Sequence, residues 1–189
     1  MASLFRSAVQ VPVVETERLK LRAHRLDDFA ACAAMWADPM VVRYIGGHPL
    51  TEEESWSRLL RYVGHWALLG FGFWVVEEKA TGNFIGEVGF ADHKRNMDPP
   101  LNDTAEIGWA FTSESHGKGY ATEAVRAVSA WGDRNFGSSR TACIIHPENL
   151  ASIRVAEKCG YRTSQIATYR GQPAMMFVRE LNSPRPSGA

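Results

Sequence analysis

A chain of 189 residues, 45% hydrophobic and 22% charged, suits one soluble globular domain with a single sizeable core. Lys plus Arg and Asp plus Glu are both 21, so no strong net field exists to hold a nucleic-acid backbone or an anionic membrane, and neither is expected as a partner. The opening residues carry no apolar core of signal-peptide length, and no later run approaches a membrane span. Cys32, Cys143 and Cys159 are odd in number and scattered through apolar segments, which predicts free buried thiols in a reducing compartment, the cytoplasm. The six histidines have no His-Glu-x-x-His or Cys-x-x-Cys companion, so no metal site is expected.

In chain order, alternation over Glu17 to His24 places Leu19 and Leu21 on one face of a strand. Asp27-Asp28 opens a helix to about Ala37, with Phe29, Ala33 and Trp36 on its inner stripe, and Asp38-Pro39 stops it. Thr51 with Glu54 reads as a capping box for a second helix from about Glu52 to Leu69, ended by Gly70. Two strands, 72–78 and 83–90, flank the hairpin signal Thr81-Gly82. The polar stretch from Asp92 to Asp103 reads as a loop. Strand 104–111, helix 119–136, strand 140–146, helix 150–159 and closing strands near 161–169 and 174–181 follow. Antiparallel strands first and a βαβα passage later imply an α+β sheet with helices on both faces. One domain is expected over 1–181, with a Pro-, Ser- and Gly-rich disordered tail over 182–189.

The passage from strand 104–111 into helix 119–136 carries the most information. His116-Gly117-Lys118-Gly119-Tyr120-Ala121-Thr122 places two glycines at a strand-to-helix turn, where unpaired N–H groups and the positive end of the helix dipole make an anion site. It is neither a Walker loop nor a dinucleotide fingerprint, because Lys118 precedes Gly119 and no third glycine follows two residues after Tyr120. The stretch resembles the pyrophosphate loop of the GNAT-type N-acetyltransferases, Arg/Gln-x-x-Gly-x-Gly/Ala, with His116 standing among positions 116–121 as the departure.

Further segments carry the resemblance along the chain. Thr16 to Arg22, Asp38 to Gly47 and Asn149 to Tyr161 look like those of the branch that acetylates ribosomal-protein N-termini. It implies a mixed, mostly antiparallel sheet of about seven strands. It also implies acetyl-CoA as cosubstrate, held by Trp109, Ala110, Phe111, His116, Gly117, Lys118, Gly119, Tyr120, Ala121, Thr122, Asn149 and Ser152. The residue Asn149 reads either as a contact to pantetheine or as a helix cap.

Acetyl transfer needs a neutral amine, a held thioester and a proton for the departing thiolate. An α-amine with a pKa of about 7.8 is roughly 15% neutral at pH 7, whereas neutralising a lysine costs about 4.6 kcal/mol. Glu106 is the first candidate base, since it shares a strand face with the small Gly108 and Ala110; Glu87 is the second. The family's usual acid is a tyrosine where this chain has Ala156, so the resemblance passes the acid role to Ser152. Cys143 and His146 lie three apart on a strand and face opposite sides, which argues against a nucleophile–base pair. The expected function is transfer of an acetyl group to a protein N-terminus or a small-molecule amine, by a monomer or homodimer. The competing class is a catalytically weak acyl-CoA-binding or regulatory module.

Overall fold

Leu19 and Leu21 are both fully buried, and the chain there forms β2 (Leu19–Arg22), preceded by a two-residue edge strand, β1 (Val14–Glu15). The computed structural model describes residues 10–102, 104–136 and 140–180; the expected tail at 182–189 lies outside them. After a single 3-10 turn, α1 (Phe29–Ala37) buries Cys32, Met35 and Trp36. Asp38 then caps a short second helix, α2 (Pro39–Val42), by accepting from the Met40 N–H at 2.8 Å. The capping box forms as expected: Thr51 and Glu54 exchange hydrogen bonds at the start of α3 (Glu52–Leu69), and Gly70 ends it in the left-handed region.

The hairpin of β3 (Phe73–Glu78) and β4 (Phe84–Ala91) turns through Gly82, at φ +72°. A short strand, β5 (Met97–Asp98), follows, then β6 (Glu106–Phe111), α4 (Tyr120–Asn135) and β7 (Arg140–Ile145). The chain closes with α5 (Leu150–Lys158), β8 (Arg162–Tyr169) and β9 (Gln172–Glu180). These strands form one sheet in the order β1-β2-β3-β4-β6-β7-β9-β8-β5.

Among the described residues nine strands stand where about seven were expected. The two additions, β1 and β5, are two residues long and sit at opposite edges. A pair of residues carries no readable period, so β5 was hidden in the polar stretch taken for a loop. Helices cover both faces. On β4, Glu87 meets Cys32 and Trp36 of α1, while the Phe90 ring lies 3.0 Å from where a Cβ on Gly132 of α4 would sit. The main core joins Trp66, Trp74 and Trp131, whose rings meet edge to face, so these tryptophans are packing and not a ligand cage.

Every neighbouring pair in the sheet is antiparallel except β6 and β7, which run parallel and pair only at Glu106 opposite Ala142. Beyond that point β6 keeps its full pairing with β4, and β7 keeps its full pairing with β9. The sheet therefore opens between its two central strands. Ala142 N–H donates to the Ala105 carbonyl on one side, and Thr112 N–H donates to the Ile85 carbonyl on the other. Backbone groups alternate along a strand, so those of Trp109 and Phe111 turn toward the opening and those of Ala110 toward β4.

Candidate active site

The loop before α4 is built by glycine geometry. Gly117 and Gly119 adopt φ of +77° and +82°, left-handed values that a side-chain-bearing residue enters at a cost of about 1 kcal/mol or more. No atom lies within 4 Å of where a Cβ on Gly117 would sit, so conformation, not crowding, calls for glycine there. Gly119 is the N-cap of α4 and supplies no side-chain cap, which leaves the first N–H groups of the helix open. Tyr120 turns its side chain away: its ring is buried and its hydroxyl donates to Glu78. Ala121 packs against the main core, so what these residues offer an anion is backbone.

His116 Nε2–H donates to the Phe111 carbonyl at 3.0 Å, so this departure from the family's Arg or Gln ties the loop back to the end of β6. Beneath the loop lies a brace that sequence reading missed. Glu123 accepts from the Thr16 hydroxyl at 2.6 Å, the Arg18 N–H at 3.0 Å and the Arg18 Nε–H at 2.7 Å. Arg18 Nη1–H in turn donates to the Lys118 carbonyl at 2.9 Å. Burial alone would raise the Glu123 pKa, but Thr16 and Arg18 hold it below the ordinary carboxylate value. The segment Thr16 to Arg22 stood out in the sequence as a family-like strand, with nothing to show that its partner was the loop a hundred residues on.

The opening between β6 and β7 continues into a cleft of about 520 Å³. Glu106, Gly108 and Trp109 line one wall, and Cys143, His146, Asn149 and Ser152 the other. The candidate base and candidate acid thus face one space. Glu106 is buried, and its two oxygens accept from Arg95 Nε–H at 2.6 Å and Nη2–H at 2.8 Å. A carboxylate has about four lone-pair positions, so about two remain for an amine or a water. Burial works against the charge on Arg95, yet Glu106 raises its pKa above the ordinary arginine value. Asn149 Oδ1 accepts from the Ser152 N–H at 3.1 Å, which makes Asn149 the cap of α5. The Ser152 hydroxyl has no hydrogen-bond partner among the described residues, and Ala156, one turn on, is fully buried in the main core.

Glu87 does not line the cleft. It is buried under α1, where it accepts from Trp36 Nε1–H at 2.8 Å and Cys32 Sγ–H at 3.3 Å and meets His24 Nε2 at 2.8 Å. Burial favours its neutral form, but His24, Trp36 and Cys32 keep its pKa below the ordinary value. The ligand-type atoms of His24, Cys32 and Glu87 lie within 4.8 Å of one another, and these hydrogen bonds already engage both oxygens of Glu87. Cys143 and His146 both line the cleft and do not face opposite sides, because β7 ends at Ile145. Burial still pushes the Cys143 thiol well above the ordinary thiol range, and His146 stacks on Tyr44 at 5.3 Å, so the two form no reactive pair.

Four arginines line the same cleft, Arg43, Arg58, Arg95 and Arg170, against Glu106 as its one carboxylate among the described residues. They arrive from α3 and from three separate connections, and no spacing in the sequence foretells their meeting.

The family model described as an acetyltransferase (GNAT) domain matches residues 18–162. The uncharacterized protein YkkB of Bacillus subtilis (strain 168) is 33% identical over 172 residues, spanning 87% of this chain and 94% of that protein. The crystal structure of an acetyltransferase from Agrobacterium tumefaciens str. C58 superposes with a TM-score of 0.78 at 26% identity, covering 94% of this chain and 98% of that one. Spermidine N-acetyltransferase from Vibrio cholerae, solved with CoA and spermine, shares the fold at a TM-score of 0.70 and 18% identity, over 89% of this chain and 98% of its own. No helix among the described residues is long and apolar enough to cross a membrane.

Proposed function

The chain belongs to the acetyltransferase (GNAT) family, and from that premise we propose that this acyl-CoA-dependent N-acetyltransferase moves the acetyl group of acetyl-CoA to a primary amine by direct transfer in a ternary complex. The observation that carries the reading is the opening between β6 and β7, with the backbone of Trp109 and the Phe111 N–H turned toward it and the uncapped start of α4 following the end of β6. The pyrophosphate sits on N–H groups between Gly117 and Thr122. The thioester carbonyl accepts from strand N–H groups of β6, which stabilise the oxyanion as the tetrahedral intermediate forms. Glu106 takes the proton of the acceptor ammonium, directly or through water, and the Ser152 hydroxyl protonates the departing thiolate. The family-like segments Thr16 to Arg22, Asp38 to Gly47 and Asn149 to Tyr161 support a place near the ribosomal-protein N-terminal acetyltransferases. The three unpaired cysteines support the cytoplasm.

The test is release of free CoA thiol from acetyl-CoA across a panel of amines. Amine-dependent release with intersecting initial-rate lines is expected. Parallel lines would point to an acetyl-enzyme, and tight CoA binding without release to a binding module. Glu106→Gln keeps shape and removes basicity, so kcat should fall with CoA affinity nearly unchanged. That loss should shrink as pH rises, because the acceptor then arrives neutral. A mutant pH–rate profile parallel to that of the wild type would remove Glu106 from the base role.

A further inference from the structure

The charges of the cleft are arranged as a pair of unlike poles. Glu106, the carboxylate, lies at the root of the opening, beside the point where β6 and β7 part. Arg58, Arg61 and Arg95 cluster to one side of it, with His93 among them. Arg58 and Arg61 stand three apart on α3, and His93 and Arg95 follow β4.

Two features show that this cluster is unbalanced. Arg58 stacks on the Trp36 ring at 3.9 Å and donates through Nη1–H to the Tyr62 hydroxyl at 3.1 Å, but its Nε is buried without a hydrogen-bond partner. A buried guanidinium donor left unpaired costs free energy comparable to a lost hydrogen bond, so the positive charge of Arg58 is under-compensated where it stands. His93 reports the same field: burial, then Arg95, Arg61, His65 and Arg58, hold its pKa down to about 3. Glu106 is paired with Arg95, and no described carboxylate forms an ion pair with Arg58, which Glu54, one turn earlier on α3, offsets only through space.

We propose that the acceptor is a primary amine carrying an anionic group, a carboxylate or a phosphate, which Arg58 and its cationic neighbours receive while the amine docks toward Glu106. The proposal rests on the transferase reading above and adds the polarity of the substrate. Arg58 suits the task because its planar fork is already held by the Trp36 face, so little side-chain entropy is lost on binding. A polycation such as the spermine bound by the Vibrio cholerae enzyme finds the opposite environment here, with four arginines and one already paired carboxylate along the cleft.

The experiment compares three amines of one chain length, 4-aminobutyrate, butylamine and 1,4-diaminobutane, as acceptors for acetyl-CoA in the thiol-release assay. The expected order of kcat/KM is 4-aminobutyrate above butylamine by about tenfold or more, as for one charge-assisted hydrogen bond, with 1,4-diaminobutane lowest. The KM for 4-aminobutyrate should rise with added salt and that for butylamine should not. Arg58→Met keeps the stem on Trp36 and should cut the preference for 4-aminobutyrate over butylamine about tenfold. A peptide with a free N-terminus and acidic second and third residues, run beside 4-aminobutyrate, separates a protein source of the anion from a small molecule. If 1,4-diaminobutane matches or exceeds 4-aminobutyrate, or if salt leaves both KM values alone, the anion proposal falls and the transferase reading stands. If no amine releases thiol, the transferase reading falls. Calorimetric titration of 4-aminobutyrate and 1,4-diaminobutane into CoA-loaded protein then decides the anion proposal by itself, since equal or tighter binding of the diamine overturns it.

Discussion

Two single residues carry the sharpest expectations. Gly117 holds φ at +77° with open space around it, so an aspartate fits sterically, and aspartate is among the residues that tolerate the left-handed region best. Gly117→Asp should therefore fold, while its charge opposes the pyrophosphate and weakens CoA binding by about tenfold or more. Unchanged calorimetric affinity in a folded variant would put the phosphates elsewhere. Ser152 sits in the first turn of α5 with its N–H taken by Asn149 and its hydroxyl unengaged among the described residues. A thiolate of pKa near 8.5 is a fair leaving group unaided, so Ser152→Ala should lower turnover by only about ten- to a hundredfold, with CoA affinity nearly kept. Normal turnover in the folded variant would make water the proton source. Placing a tyrosine at 156 is not a clean control, because Ala156 is fully buried in the main core and a ring there overpacks it.

At the scale of elements, the four longer helices were legible because their ends are written locally, whereas the four-residue α2 after Asp38-Pro39, read only as a helix stop, was not. Thr51 with Glu54, Asp38 before Pro39, and Gly70 each act on residues within one turn. Asn149 belongs to the same class, and its cap matters twice, since the N–H it accepts from is that of Ser152. Asn149→Ala should destabilise the protein by about 1 kcal/mol, which in a chain of this size lowers Tm by about 2–4 °C. Turnover should fall as well if the cap also sets the position of Ser152. A Tm indistinguishable from that of the wild type would show that α5 is held by packing alone. The edge strands β1 and β5 were not legible, because two residues pair only where a neighbour offers its edge.

For the whole molecule, the cationic cluster ties stability to pH. His93, held to a pKa of about 3 by burial and by Arg95, Arg61, His65 and Arg58, stays neutral in the fold, whereas in the unfolded chain it titrates near 6.5. The unfolded state therefore binds more protons below 6.5, so this contribution to stability is complete above 6.5 and is lost as pH falls toward 3. Tm should decline between pH 7 and pH 5, and His93→Gln should flatten that decline. An equal slope in wild type and variant would remove His93 as its source. Glu87 acts lower on the scale: its pKa is depressed from a carboxylate value, so its stabilisation is present above about 4.3 and disappears as pH falls through its folded pKa.

By itself the sequence determined what depends on neighbours along the chain: the helix caps, the alternation of Leu19 and Leu21, and the two glycines whose φ makes the loop before α4. It also placed Glu106 on a face with Gly108 and Ala110, because strand period alone decides that. Only the tertiary structure decided which groups meet. It set Arg95 against Glu106, put Glu87 under α1 and out of the cleft, and braced Lys118 with Arg18 from 100 residues earlier in the chain. It brought four arginines from separate segments to one cleft. Electrostatic pairing acts through space, and a sequence that sums to zero charge leaves no trace of where its unlike charges gather.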